Sequence, residues 1–169
     1  MKRKILYCDL DGVVADFEHG MSLIAPDLFL GDGHDYEQRS KMVDTVCEQH
    51  PEIFHDLKPI EGAIEGVKWL MEFYEVYFLS TPMWNVPMSF TGKRIWLEKH
   101  FGKLAEKRLI LSHRKDLAIG DYLIDDRTKN GAGEFKGEHI HFGTEKFPDW
   151  QSVLDYLVVY QQNYEIGKI

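Results

Sequence analysis

Lys4-Ile5-Leu6-Tyr7-Cys8-Asp9-Leu10-Asp11-Gly12-Val13 is a short, nearly continuous apolar run that ends in two carboxylates two residues apart. Apolar side chains at consecutive rather than alternate positions are the mark of a strand buried on both faces. The same form recurs in Glu75 to Ser80, Arg108 to Ser112 and Tyr122 to Asp125, each closed by a polar residue, and more weakly in His139 to Phe142. Between these runs, Ile64, Val67, Trp69, Leu70, Met71 and Phe73, and then Ile95, Trp96, Leu97, Phe101 and Leu104, follow helical spacing. Strand and helix alternate, which implies βαβ crossovers and an α/β fold, a doubly wound (Rossmann-like) parallel sheet with helices on both faces. Ligands of such sheets gather beyond the carboxyl ends of the strands, where the closing polar residues fall.

The stretch from 17 to 59 breaks the rhythm, because it separates the first two strands by far more than the about a dozen residues that a crossover needs. Phe17, Met21, Leu23, Ile24 and Leu28 suggest one helix and Met42, Val43 and Val46 a second, joined by a Gly31-Asp32-Gly33 turn and ended near Pro51. The expected organisation is a core of residues 1–16 and 60–169 with a small helical cap, 17–59, inserted after strand one.

Composition sets bounds on partners. The chain has 169 residues, 44% hydrophobic and 28% charged, as in a globular domain and unlike a disordered segment. Acidic residues outnumber basic ones 28 to 20, so the long-range field repels polyanions and a nucleic acid polymer is not an expected partner. The apolar run after Met-Lys-Arg-Lys is cut by Asp9 before it reaches the length of a signal-peptide core, and no apolar stretch approaches the about 18 residues of a membrane span. Two cysteines, Cys8 and Cys47, are too few for a disulfide framework. A reducing, cytoplasmic setting is expected.

In Asp9-Leu10-Asp11, residues two apart in an extended chain point the same way, so both carboxylates can face one pocket. Such crowding costs free energy unless a cation or proton offsets it. A calcium loop would need an oxygen ligand at its fifth position and Glu at its twelfth, where Val13 and Gly20 stand. Asp125-Asp126 closes another apolar run in the same way. Alone, that pair reads as a turn; as the second acidic strand end in one parallel sheet, it converges with the first on one hard cation, for which Mg2+ is the natural candidate. Ser80-Thr81 and Lys115 have the opposite character, a pair of hydroxyls and an ammonium suited to phosphate oxygens, although each alone is commonplace on a surface.

The order of these motifs, D-x-D after strand one, Ser-Thr after strand two, Lys after strand three and Asp-Asp after strand four, resembles the haloacid dehalogenase superfamily. Asp9 to Phe17, Phe78 to Pro82, Trp96 to Gly102 and Leu123 to Arg127, together with Pro51 to Phe54 and Leu57 to Ala63, are similar to the 5'(3')-deoxyribonucleotidase family. The likeness runs from residue 4 to about 143, and residues 18 to 50 match poorly. It implies a phosphomonoester hydrolase in which Asp9 is the nucleophile, Asp11 the general acid and base, and Ser80, Thr81, Lys115 and Lys93 hold the phosphoryl group. It also implies Mg2+ on Asp9, the Asp11 carbonyl and Asp125, with Asp126 behind, and Phe17 and Phe54 around the base of a nucleoside monophosphate. Trp84 is a further aromatic candidate. His139 and His141 read as ordinary strand residues on one face, since no third metal ligand accompanies them. Two alternatives stay open: a phosphatase for a sugar phosphate or other small metabolite, and a non-catalytic magnesium- or nucleotide-binding module.

Overall fold

The computed structural model describes residues 3–30 and 36–165. Five strands, β1 (Ile5–Cys8), β2 (Glu75–Ser80), β3 (Leu109–Leu111), β4 (Tyr122–Asp125) and β5 (Glu138–His141), form one all-parallel sheet in the order β3-β2-β1-β4-β5. β1 is central, with Leu6 opposite Val76 on one side and Tyr122 on the other. The chain winds outward through β2 and β3, then crosses back to lay β4 and β5 on the far side of β1. This is the doubly wound topology expected from the buried runs. Its reversal opens a crevice between β1 and β4 at their carboxyl ends, which is where Asp9 and Asp125 lie.

Side chains of successive strand residues go to opposite faces. On one face Leu6, Cys8, Val76, Phe78, Ile124 and Ile140 join one apolar cluster with the helices α5 (Ala63–Phe73), α6 (Pro87–Phe101) and α7 (Trp150–Glu165). On the other, Tyr7, Leu79 and Leu123 form a smaller cluster with Ala132 and Phe135. That second layer is thin, built from a 3-10 turn at Lys115–Leu117 and the turns through 127–136.

Among the described residues, four helices occupy the segment between β1 and α5: α1 (Phe17–Ile24), α2 (Asp27–Leu30), α3 (Tyr36–Gln49) and α4 (Ile53–Asp56). The one helix expected from Phe17 through Leu28 is two. Pro26 has no N–H to donate and its ring crowds the preceding turn, so α1 stops at Ile24 and α2 starts afresh at Asp27. The expected Gly31-Asp32-Gly33 turn lies outside the described residues. Met21, Leu28, Cys47, Ile53, Phe54 and Leu57 belong to the same apolar cluster as the sheet's helical face, so the insertion shares the core rather than building its own. The join is tight at Gly92 of α6, where a Cβ would lie 2.7 Å from Phe54 Cβ, and Trp96 Nε1 donates to the Leu57 carbonyl at 2.8 Å.

Trp150, buried on α7, donates its Nε1 hydrogen to the carbonyl of Val13 at 2.8 Å and so ties the last helix to the loop after β1. Replacing Trp150 with Phe keeps most of the packing but leaves that carbonyl unpaired. A loss of about 1–3 kcal/mol is expected in urea unfolding; an unchanged midpoint would show that the bond does not hold the loop.

Candidate active site

β1 ends because the chain turns sharply: the Leu10 carbonyl accepts hydrogen bonds from the amides of Val13, Val14 and Ala15. Gly12 makes the turn possible. Its φ of +77° is unfavourable for other residues, and a Cβ there would lie 2.4 Å from Asp126 Oδ2. The loop after β1 and the loop after β4 can therefore close on one another, and Asp9 comes beside Asp125 and Asp126. One carboxylate oxygen from each of the three lies within 4.8 Å of the other two.

Lys115 is buried among them. Its ammonium stands 3.0 Å from Asp9 Oδ2 and also pairs with Asp125 Oδ2. Burial alone would lower its pKa, but Asp9 and then Asp125 outweigh that and hold it above the ordinary lysine value. One cation does not balance three carboxylates. Burial, reinforced by the charge of Asp9 and opposed by Lys115, raises the Asp125 carboxyl well above its usual range. Asp126 is pushed up to about 6, mainly by burial and also by Asp9, with Arg127 working against it.

The charge excess and the unmet acceptors fit a hard divalent cation. Asp126 Oδ1 is buried without a hydrogen-bond partner, and so is Ser80 Oγ at the end of β2. Oxygen-only donors with two or three carboxylates at this spacing are the ligand chemistry of Mg2+. Asp9 Oδ1 accepts from the Leu10 amide at 2.8 Å and Asp125 Oδ1 from the Arg127 amide at 2.9 Å, so both carboxylates are held at one oxygen and present the other.

Asp11 stands apart from the three. Its side chain pairs with Lys93, whose ammonium is buried and also lies 5.3 Å from the centroid of the Phe54 ring. Thr81 borders the same cavity, but its hydroxyl hydrogen is committed to the Ser112 carbonyl at 2.8 Å, tying β2 to β3. Phe17 and Phe54 do meet, with ring centroids 6.2 Å apart, yet Phe54 is only 2% exposed and backs Lys93 rather than offering an open ring face. Trp84, 79% exposed on the rim, is the open aromatic surface. The cavity they border has a volume of about 960 Å³, and its far wall comes from the insertion through Phe17, Arg39 and Val43.

Three histidines contribute beyond what the sequence showed. His139 and His141 of β5 hydrogen-bond the carbonyls of Asp125 and Asp126 at 3.2 and 3.0 Å. Their spacing of two showed a shared face, but nothing local revealed that the face ends beside the β4 loop. His113, which holds the Pro82 carbonyl at 3.0 Å and packs edge-on against Trp84, gave no signal beyond its nearness to Lys115.

Comparison with known proteins places the chain by family and by fold. Residues 3–162 match the family described as 5' nucleotidase, deoxy (pyrimidine), cytosolic type C protein. A protein of Vibrio phage KVP40, named provisionally as a 5'(3')-deoxyribonucleotidase, is 48% identical over 155 residues, 92% of this chain and 85% of that one. The cytosolic-type 5'(3')-deoxyribonucleotidase of Homo sapiens is 29% identical over 164 residues, 86% of this chain and 76% of that one. Among solved structures, a haloacid dehalogenase-like family hydrolase from Xanthomonas campestris aligns over 99% of both chains with a TM-score of 0.57 and 13% identity, a likeness of fold.

The raised carboxyl values carry a sign. A carboxyl that binds its proton more tightly when folded favours folding at low pH, and that contribution is lost as pH rises, for Asp126 between about 4 and about 6. Without metal, Asp126→Asn is therefore expected to stabilise the protein by roughly 1–2 kcal/mol at pH 7.5 and to change it little at pH 4. Thermal unfolding at both pH values checks this, and the same effect at each would show that Asp126 carries no such penalty.

Proposed function

The chain belongs to the 5' nucleotidase, deoxy (pyrimidine), cytosolic type C family, and we propose on that footing that it dephosphorylates deoxyribonucleoside monophosphates through a phosphoenzyme on Asp9, with Mg2+ as cofactor and the cytoplasm as its setting. It is a hydrolase of nucleotide phosphomonoesters by family. The observation that carries the finer reading is the Asp9 carboxylate, fixed at one oxygen by the Leu10 amide and lying beside Lys115, Asp125 and Asp126.

Asp9 Oδ2 attacks the phosphorus, the bond to the nucleoside oxygen breaks, and the carboxyl of Asp11 gives its proton to that leaving oxygen. Water then attacks the aspartyl phosphate, Asp11 takes the proton back, and inorganic phosphate departs with Asp9 restored. Asp9, the Asp11 carbonyl and Asp125, with Asp126 behind, would hold Mg2+, which when bound neutralises charge between an anionic nucleophile and an anionic ester. Lys115 follows the negative charge from Asp9 to the transferring group, and Ser80, whose hydroxyl has no partner, donates to a phosphate oxygen. Lys93 balances Asp11 and the phosphate together.

The helical segment 17–59 acts as a cap on the core of 1–16 and 60–169. It brings Phe17 over the cavity, while Phe54 supports Lys93 from behind. Stacking of the base falls to Phe17 and to the exposed ring of Trp84.

Asp9→Asn should lower turnover by at least roughly 10³-fold with an unchanged circular dichroism spectrum. Purified protein offered deoxyribonucleoside monophosphates, ribonucleoside monophosphates and sugar phosphates, with Mg2+ or with chelator, should prefer the deoxyribonucleotides and need the metal. Full activity of the Asn variant would remove the phosphoenzyme, and equal rates on sugar phosphates would remove the nucleotidase reading.

A further inference from the structure

Beyond the end of β4 the backbone leaves the sheet while still carrying both acidic residues. The carbonyl of Asp125 is held by the Phe142 amide at 3.0 Å, the last rung of its pairing with β5. The carbonyl of Asp126 lies past that ladder. The two histidines of β5 reach over the sheet end to these consecutive carbonyls, His139 Nε2 to Asp125 and His141 Nε2 to Asp126. A carbonyl oxygen can only accept, so each Nε2 must carry a hydrogen, which fixes the orientation of both rings. The rings stack with centroids 5.1 Å apart and planes inclined by 21°, so each restrains the other.

Holding two consecutive carbonyls fixes two consecutive peptide planes. Those planes set the direction of the Cα–Cβ bonds at Asp125 and Asp126, and hence the place from which each carboxylate starts. The layer covering this face of the sheet is thin; the Phe142 amide shares the Asp125 carbonyl with His139, while the Asp126 carbonyl is met by His141.

We propose that His139 and His141 are positioning residues for the cation site: their Nε2–H donors hold the two carbonyls after β4 so that the carboxylates of Asp125 and Asp126 stand at the spacing a divalent ion requires. This rests on the reading of those carboxylates as Mg2+ ligands. Hydrogen-bond partners one step removed from metal ligands are commonly worth about 10- to 100-fold in metal affinity. Both Nε2 atoms are spent on backbone carbonyls, and since the His141 ring also borders the cavity, the effect of losing either donor is read in metal affinity and not in turnover.

The test is calorimetric titration of Mg2+ into the full chain without substrate, alongside thermal unfolding. His139→Phe and His141→Phe keep a ring for stacking and remove the donor; each is expected to weaken Mg2+ binding about tenfold. His141→Gln restores an N–H at nearly the same reach and should bind within about threefold of the parent. Phe variants that bind Mg2+ as the parent does overturn the proposal, whether or not their unfolding midpoint falls, because a purely structural role would lower only the midpoint. A Gln variant as weak as the Phe variant also overturns it. If a Phe substitution prevents folding, the Gln variants at both positions decide: both retain the donor, so binding weakened tenfold in either sinks the idea and near-parental binding in both sustains it. A parent chain that binds no Mg2+ would instead overturn the cation reading beneath it, a result distinguishable from the others.

Discussion

The ammonium of Lys115, buried between Asp9 and Asp125, is the interaction on which the site depends. Three carboxylates brought together at the end of a parallel sheet repel one another in a medium that screens poorly. Lys115 compensates part of that repulsion and allows the metal-free chain to close its loops over Asp9. It compensates only part, being one positive charge among three carboxylates; burial first, and the charge of Asp9 after it, raises the carboxyls of Asp125 and Asp126. The remaining excess is what makes the pocket receptive to a second cation, and a fully neutralised cluster would have no such appetite.

Topology makes this arrangement inexpensive in backbone terms. Because β4 returns to pair with β1, residues more than a hundred positions apart meet without a long loop: Asp9 donates its amide to the Ile124 carbonyl at 2.9 Å, so two acidic strand ends sit on adjacent rungs. Gly12 then lets the first loop approach the second. The rest of the fold stiffens these two loops, with Trp150 holding Val13 from one side and Lys115 held through its amide by the Asn130 carbonyl.

Much of this was legible in the sequence because strands buried on both faces write themselves as unbroken apolar runs, and the polar residues ending three of them, Asp9, Ser80 and Asp125, border the cavity. Asp9, Ser80 and Asp125 could be named on that ground alone. What was not legible depends on distances between elements. That Thr81 spends its hydroxyl on Ser112 follows from the nearness of β3 to β2, that Asp11 finds Lys93 follows from the approach of α6 to the loop after β1, and that His139 and His141 serve β4 follows from register. Pro26 was different, since its effect on helix α1 is local and the periodic apolar residues on both sides masked it.

The insertion's division of labour follows from its burial. α4 is locked against α6 through Phe54 and Gly92, and since α6 also carries Lys93, any displacement of α4 would disturb the partner of Asp11. α3 by contrast is mostly exposed, with Cys47 its one fully buried residue among those described, while its Arg39 and Val43 border the cavity. Changes in α3 can therefore reshape that cavity wall at little cost to the core. Packing thus leaves the exposed part of α3 and the Trp84 rim free to vary, whereas α4 and α6 are bound to each other through Phe54 and Gly92 and the ends of β1 and β4 through Gly12 and Asp126.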